Sequence, residues 1–178
     1  MVRICAFDVH IVNNVGKGAL VFYNTVSKKV VHKLTNVLPC TEPYVPGFLA
    51  KRELPYFMEL YKLIPYRPDY IFVDGNGRLH PEKNGLACQI AKYSEGVPVI
   101  GISKNMFMFP GITINENDIH YQEEVVGRML SVNSKNPVYV SVGGGDITLN
   151  QAYELVKSCS KFRIPEPIRH ADYLSRSK

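Results

Sequence analysis

The run Tyr70-Ile71-Phe72-Val73 constrains the fold of this chain most. It is continuously apolar rather than alternating, so as a strand it must be buried on both faces. Such a strand belongs at the centre of a sheet with helices packed on either side. The N-terminal half supplies neighbours for it. Val2 to Val12 is a β-rich run, with Arg3, Cys5, Phe7, Val9 and Ile11 on one face and Val2, Ile4, Ala6, Asp8 and His10 on the other. Asn13-Asn14-Val15-Gly16-Lys17-Gly18 reads as a turn. Ala19 to Tyr23 and Lys29 to Leu34 read as two more strands, and three strands with short links predict an antiparallel meander.

Beyond the meander the pattern alternates between helix and strand. Tyr56 to Ile64 carries apolar residues at helical spacing. Pro55 lacks an N–H and is free of strain only in a first turn, which predicts a helix start at about Glu53. Gly85 to Tyr93 reads as a helix, Pro98 to Ile102 as a short buried strand, and Ser103 to Gln122 as an irregular hairpin or lid. Asn136 to Val142 reads as a strand that Gly143-Gly144-Gly145 breaks. Thr148-Leu149-Asn150-Gln151 has capping-box spacing ahead of a helix through Cys159. The tail from Lys161 is basic and holds Pro165 and Pro167. The expected fold is α/β: a mixed sheet whose first three strands form an antiparallel meander, β-α-β crossovers after it, and helices on both faces. No repeat or shift in composition marks a second unit, so residues 1–178 read as one domain.

Lys and Arg outnumber Asp and Glu by 21 to 16, a lean toward polyanionic partners that does not by itself require one. The four cysteines, Cys5, Cys40, Cys88 and Cys159, form no C-x-x-C pair, which argues against a zinc knuckle. Three of them fall in apolar runs, as buried reduced thiols do. No leader pattern opens the sequence and no apolar run is long enough to span a bilayer. The expectation is an intracellular protein of cytoplasm or nucleus, monomeric and without a membrane partner.

Three acids stand out. Asp8 interrupts an apolar strand, where a carboxylate needs partners; it serves either a structural hydrogen bond or a site. Asp74 ends the central strand, where open α/β sheets bind ligands, although Asp before Gly is also ordinary turn chemistry. Glu53 follows Arg52 at the expected helix start, which suits dipole compensation or an ion pair as well as a site. Gly75-Asn76-Gly77 is not a dinucleotide fingerprint, because His80 stands where the third glycine belongs. Taken together, an acid on the first strand, one at the next helix start and one ending the fourth strand match the layout of RNase H-like nucleases. Clustered carboxylates there hold Mg²⁺ through hard oxygen ligands.

Longer motifs carry a resemblance. FDV at Asp8, PYVPGFLAKRE from Pro43 to Glu53, VDGNGRLHP from Val73 to Pro81, GLA at Gly85, VIGISK ending at Lys104, VSVG around Ser141 and FRIPEPIRHAD near the C-terminus occur in that order across nearly the whole chain. Together they resemble the endonuclease V family, deoxyinosine 3′-endonucleases with the RNase H-like fold. The resemblance implies a Mg²⁺-dependent endonuclease, with Mn²⁺ substituting, that acts on inosine-containing DNA or RNA. It would cut one nucleotide 3′ of the inosine and leave 3′-hydroxyl and 5′-phosphate ends. It implies Asp8, Asp74 and Glu53 as metal-binding carboxylates, His80 near the cleaved phosphate or its water, and Lys104 stabilising charge at the phosphate. Pro43-Tyr44-Val45-Pro46 resembles the family's wedge, which enters a duplex as the modified base leaves. Gly47, Leu49, Gly75 and Gly85 would line the base pocket. Arg52, Ser141, Arg163 and Arg169 are candidate phosphate contacts, with Arg176 beside them in the tail; the tail arginines equally suit pairing with Glu166 and Asp172.

The sequence departs from the family pattern at four places. The first strand begins almost at Met1, Glu82 follows His80-Pro81 where a basic residue is frequent, and Gln89 stands where a histidine is common. The VSVG turn, which is commonly followed by histidine, here runs on as Gly143-Gly144-Gly145-Asp146. Two other readings stay open at this stage: a non-catalytic binder of inosine or damaged nucleic acid, and a small α/β enzyme with a nucleotide-like ligand at the Gly75 turn.

Overall fold

Two asparagines make the first turn. The structure, a computed structural model, describes residues 1–178, and in it Asn13 and Asn14 have φ of 51° and 63°. Those left-handed values are what a two-residue hairpin loop needs and what asparagine tolerates. Strand β1 (Arg3–Val12) therefore turns at once into β2 (Val15–Asn24), with Val12 opposite Val15 and Arg3 opposite Asn24. The turn is shorter than the glycines suggested, because Gly16 and Gly18 are strand residues. A Cβ on Gly16 would run into the Tyr56 ring, and one on Gly18 would come within 3.0 Å of the Tyr56 Cβ. These glycines let a helix approach the sheet. Strand β3 (Lys29–Pro39) completes the meander and runs well past Leu34.

Strands β4 (Tyr70–Asp74) and β5 (Val99–Ser103) join parallel to β1, with Ile4 beside Tyr70, Phe7 beside Val73 and Asp74 beside Ile102. The sheet then continues antiparallel through β9 (Val138–Gly144), β8 (Glu124–Leu130), β7 (Asp118–Tyr121) and β6 (Thr113–Asn115). Its nine strands run in the order β3-β2-β1-β4-β5-β9-β8-β7-β6. Ile71, Phe72 and Val73 have no exposed surface, as the unbroken apolar run demanded. The stretch expected to be irregular contains the β6–β7 hairpin. Strand β8 was not anticipated, because Gly127 and Arg128 interrupt its apolar pattern.

Helices cover both faces. On one, α1 (Leu49–Tyr61) and α2 (Leu86–Ala91) pack Phe57, Leu60 and Ile90 against Phe7, Leu20, Phe22 and Ile71. On the other, α3 (Leu149–Ser158) and α4 (Glu166–Arg176) pack Ala152, Val156, Ile168 and Ala171 against Ala6, Val21, Phe72 and Val140. The capping box of α3 forms as expected: the Thr148 hydroxyl accepts from the Gln151 N–H at 3.1 Å, and the Gln151 side chain accepts from the Thr148 N–H at 2.9 Å. No helix is long and apolar enough to cross a membrane.

Two expectations about helices change. Helix α1 starts at Leu49, not near Glu53, and Pro55 lies inside it. The proline removes the hydrogen bond that the Lys51 carbonyl would accept, and Lys51 is exposed, so water can replace it. Glu53 therefore sits a turn into the helix rather than at its positive end. Helix α4 was hidden by Pro165 and Pro167. The first is its N-cap and the second lies in its first turn, where a missing N–H costs nothing. Strand β9 likewise runs into the glycine triplet, since a Cβ on Gly143 would lie 2.6 Å from the Ala87 carbonyl and one on Gly144 2.7 Å from the Ala91 Cβ. The triplet is where α2 crosses the strand.

Candidate active site

The parallel register that sets Phe7 beside Val73 brings the next residues, Asp8 and Asp74, to the same end of adjacent strands. Helix α4 adds Asp172 from the face on which Ile4 and Ala6 are buried. Oxygens of Asp8, Asp74 and Asp172 all lie within 4.8 Å of one another. Lys104, just beyond β5, points its ammonium into this group, 2.9 Å from Asp74 Oδ2 and 3.3 Å from Asp172 Oδ1. Arg176 reaches back one turn to Asp172 at 3.0 Å.

Burial and like charge dominate the electrostatics. Asp8 is pushed up to about 9, first by burial, then by the charge of Asp74 and more weakly Glu53; Lys104 and the Val9 N–H oppose this. Burial also raises Asp74, against its ion pair with Lys104. Glu53 is pushed up to about 8 by burial and Asp74, with Arg52 opposing. Asp172 goes the other way: burial works against its charge, but the hydrogen bond from Arg176 and the nearness of Lys104 hold it below the usual carboxylate range. The cluster thus gathers more acids than it has cations to neutralise, and burial and mutual repulsion keep protons on Asp8 and Glu53. Three hard oxygen donors at this spacing fit a divalent cation such as Mg²⁺ or Mn²⁺. Glu53 is outside that closest group and acts on it through charge.

Beside the acids opens a cavity of about 330 Å³. Tyr44, Pro46 and Gly47 form one rim, Leu49 and Gly85 belong to its wall, and Asp74, Gly75, His80 and Lys104 lie at its inner side. All four residues expected to hold a base, two of the wedge residues and three of the catalytic candidates thus share one space. Pro43 and Val45 are exposed beyond the rim. Tyr44 is 61% exposed, with the Arg52 guanidinium 5.7 Å from its ring centre. Gly85 is required by close approach, since a Cβ there would lie 2.8 Å from the Gly77 carbonyl oxygen. Asn76, Ser103 and Phe107 also line the cavity, and the sequence alone did not single them out.

Other candidates fall elsewhere. Ser141 is fully buried, and its hydroxyl accepts from the Gly77 N–H at 2.7 Å; it braces the turn after Asp74 and has no surface for a phosphate. Arg163 donates to the backbone carbonyls of Pro137 and Lys104. Arg169 pairs with Glu166 at 2.7 Å and lies near Tyr23, one turn N-terminal to Asp172 on α4. His80 is buried, with both ring nitrogens engaged within the protein. The residue that sequence reasoning missed is Asp172, considered there only as a partner for an arginine. The signal was the helical spacing of Ile168, Ala171 and Ser175, all buried, which sets Asp172 at the edge of the inward stripe.

The profile of the endonuclease V family matches residues 1–173. The chain belongs to the endonuclease V family. Mouse endonuclease V is 35% identical over 184 residues, covering 89% of this chain and 53% of the mouse protein, so the chain spans about half the length of that relative. The catalytic domain of human endonuclease V superposes with a TM-score of 0.89 at 30% identity, over 99% of this chain and 81% of the human one. Endonuclease V of Ciona intestinalis, solved with a 24mer DNA containing an inosine followed by a ribo-adenosine, gives a TM-score of 0.88 at 27% identity, over 98% and 84%. The fold is thus the RNase H-like fold of endonuclease V. Two of the departures from that family's pattern, Gln89 and the glycine triplet, lie away from the acids, while Glu82 donates its N–H to His80. Gln89 faces a groove on the other side of Gly47 and His80, with Lys51 and Asn84, and accepts from Lys92 at 3.1 Å; Gly143 and Gly144 lie under α2.

Proposed function

We propose that this chain is a Mg²⁺-dependent endonuclease, with Mn²⁺ able to substitute, that hydrolyses the phosphodiester one nucleotide 3′ of an inosine in DNA or RNA and leaves 3′-hydroxyl and 5′-phosphate ends. The observation that carries the reading is that Asp74, one of the three clustered aspartates, lines the cavity edged by Tyr44 and Gly47, together with Lys104, which pairs with Asp74 and Asp172. The Ciona relative's complex with inosine-containing DNA supports the substrate class.

A base inside a duplex is shielded, so an enzyme that selects it must draw it out and fill the gap. Tyr44 offers a flat exposed ring, and Pro43 and Pro46 limit the freedom of the loop that carries it. Leu49, Gly75 and Gly85 give the extruded base apolar contact and room to approach backbone. Asp8, Asp74 and Asp172 would hold the divalent cation, with Glu53 adding charge beside them. When bound, that ion supplies charge neutralisation and lowers the pKa of water at the phosphate. Lys104 stands at the junction of cluster and cavity and keeps its proton: burial disfavours the charge, but Asp74 more than offsets that. Its ammonium is placed to stabilise negative charge that develops on the phosphate.

The test is cleavage of DNA and RNA strands, single and double, each carrying one inosine, with Mg²⁺ and with a chelator. The expected result is metal-dependent cleavage one nucleotide 3′ of the inosine, lost in Asp74→Asn. Binding without cleavage in both Mg²⁺ and Mn²⁺ would replace the nuclease reading with that of an inosine-binding module.

A further inference from the structure

His80 stands between the wedge loop and the acids, and its ring is fully committed. Nδ1 accepts from the Glu82 N–H at 3.1 Å, which leaves the proton on Nε2, and Nε2 donates to the Gly47 carbonyl at 2.7 Å. A neutral imidazole has one donor and one acceptor, so no ring nitrogen is left for a phosphate, a water or a metal ion. The His80 backbone is pinned as well: its N–H donates to the Arg78 carbonyl and its carbonyl accepts from Lys83, both at 2.8 Å. At the other end of the contact the loop is poorly held. Pro43 to Pro46 are exposed, and the bond to His80 is the only hydrogen bond tying Pro43–Gly47 to a residue outside Pro43–Phe48. Gly47 turns its carbonyl inward at φ +84°, and the Phe107 ring packs against the His80 ring with centres 6.1 Å apart.

We infer that His80 is a positioning residue that anchors the wedge loop at the rim of the cavity, and thereby sets the preference for inosine over ordinary bases. This rests on the function proposed above. Guanine differs from hypoxanthine by one exocyclic amine, and adenine by an amine in place of an oxygen. A site separates groups that small only if its walls keep their spacing, and His80 sets the spacing between the Tyr44–Gly47 rim and the inner wall at Asp74 and Gly75.

Two variants isolate the tether. In His80→Asn the amide lies near the Nδ1 position and cannot reach Gly47, whereas in His80→Gln it extends toward the Nε2 position. The measurements are hydrogen exchange of the Phe48 amide, the one N–H of the Thr41–Phe48 segment that is hydrogen-bonded, to the Val45 carbonyl at 3.0 Å, and cleavage kinetics on strands that differ only in inosine, guanine or adenine at one position. His80→Asn is expected to speed exchange in the loop and to lower the inosine-to-guanine ratio about tenfold, the worth of one hydrogen bond, mainly through KM and with the Mg²⁺ midpoint unchanged. His80→Gln is expected to restore both. Wild-type exchange in His80→Asn overturns the inference. So does a fall in kcat with the base ratio intact and the Mg²⁺ midpoint shifted, which would put His80 at the phosphate. If His80→Asn does not fold, His80→Gln decides: wild-type loop exchange supports the tether and fast exchange refutes it. A wild-type protein that cleaves no inosine strand would sink the nuclease reading, while the exchange data still judge the tether.

Discussion

At the scale of single residues, the proposed function assigns the acids to the phosphate and Tyr44 to the base. Asp8 and Asp74 were visible in the sequence because each breaks or ends an apolar run, and a carboxylate there needs a reason. Asp172 was not, because its role depends on how α4 docks, and nothing local distinguishes it from an acid pairing with Arg176. Tyr44 projects from the rim with most of its ring in solvent, an arrangement that costs stability little to remove. Tyr44→Ala is therefore expected to keep the melting temperature, and to lower the ratio of cleavage at inosine to cleavage at guanine or adenine by about tenfold, given that stacking one base is worth about 1–3 kcal/mol. Competition kinetics on mixed strands check this, and an unchanged ratio would remove Tyr44 from the wedge.

At the scale of elements, the signals that misled the sequence reading were glycines and prolines whose roles are tertiary. Gly16 and Gly18 look like turn residues, yet both are strand positions against which Tyr56 packs, its hydroxyl donating to the Leu38 carbonyl at 3.0 Å. Gly143 and Gly144 look like a break, yet they are the bed for α2. Pro55, Pro165 and Pro167 look like boundaries, yet one is inside α1 and two begin α4. The same local chemistry serves a turn or a close approach, and only the packing partner decides. The central strand, the meander and the Thr148 capping box were legible because burial on both faces, hairpin spacing and a reciprocal cap are local properties. The account predicts that Gly16→Ala destabilises the protein by about 1–3 kcal/mol, as overpacking does, because Tyr56 is buried and cannot swing away. Chemical denaturation measures it; a neutral substitution would show that Gly16 serves the turn after all.

At the scale of the whole molecule, the fold gathers acids from β1, β4 and α4 at one end, and burial and mutual repulsion hold protons on Asp8 and Glu53 well above the usual carboxylate range. In the unfolded chain Asp8 and Glu53 lose their protons near 3.8 and 4.5, whereas folded they keep them up to about 9 and about 8. Between those limits the folded form binds more protons, so stability falls as pH rises. This contribution is whole below the unfolded values and is gone once pH passes the folded ones. In chelator, the melting temperature is expected to drop between about pH 5 and about pH 9, and Asp8→Asn is expected to flatten that slope. Added Mg²⁺ should raise the melting temperature more at the alkaline end, where fewer protons compete for the oxygens. Scanning calorimetry across that range tests the sign, and a metal-free protein that gains stability toward alkaline pH would contradict the electrostatics described.

The claim on which the rest depends is that α4 completes the acidic site with Asp172. The most direct measurement is product mapping of a strand with one inosine, cut in Mg²⁺ by wild type and by Asp172→Asn under single-turnover conditions. The account predicts a wild-type cut one nucleotide 3′ of the inosine, and a loss of about a hundredfold to a thousandfold in the variant, of the order seen when one stabilising group leaves an active site. Cleavage by Asp172→Asn at the wild-type rate and position would contradict it.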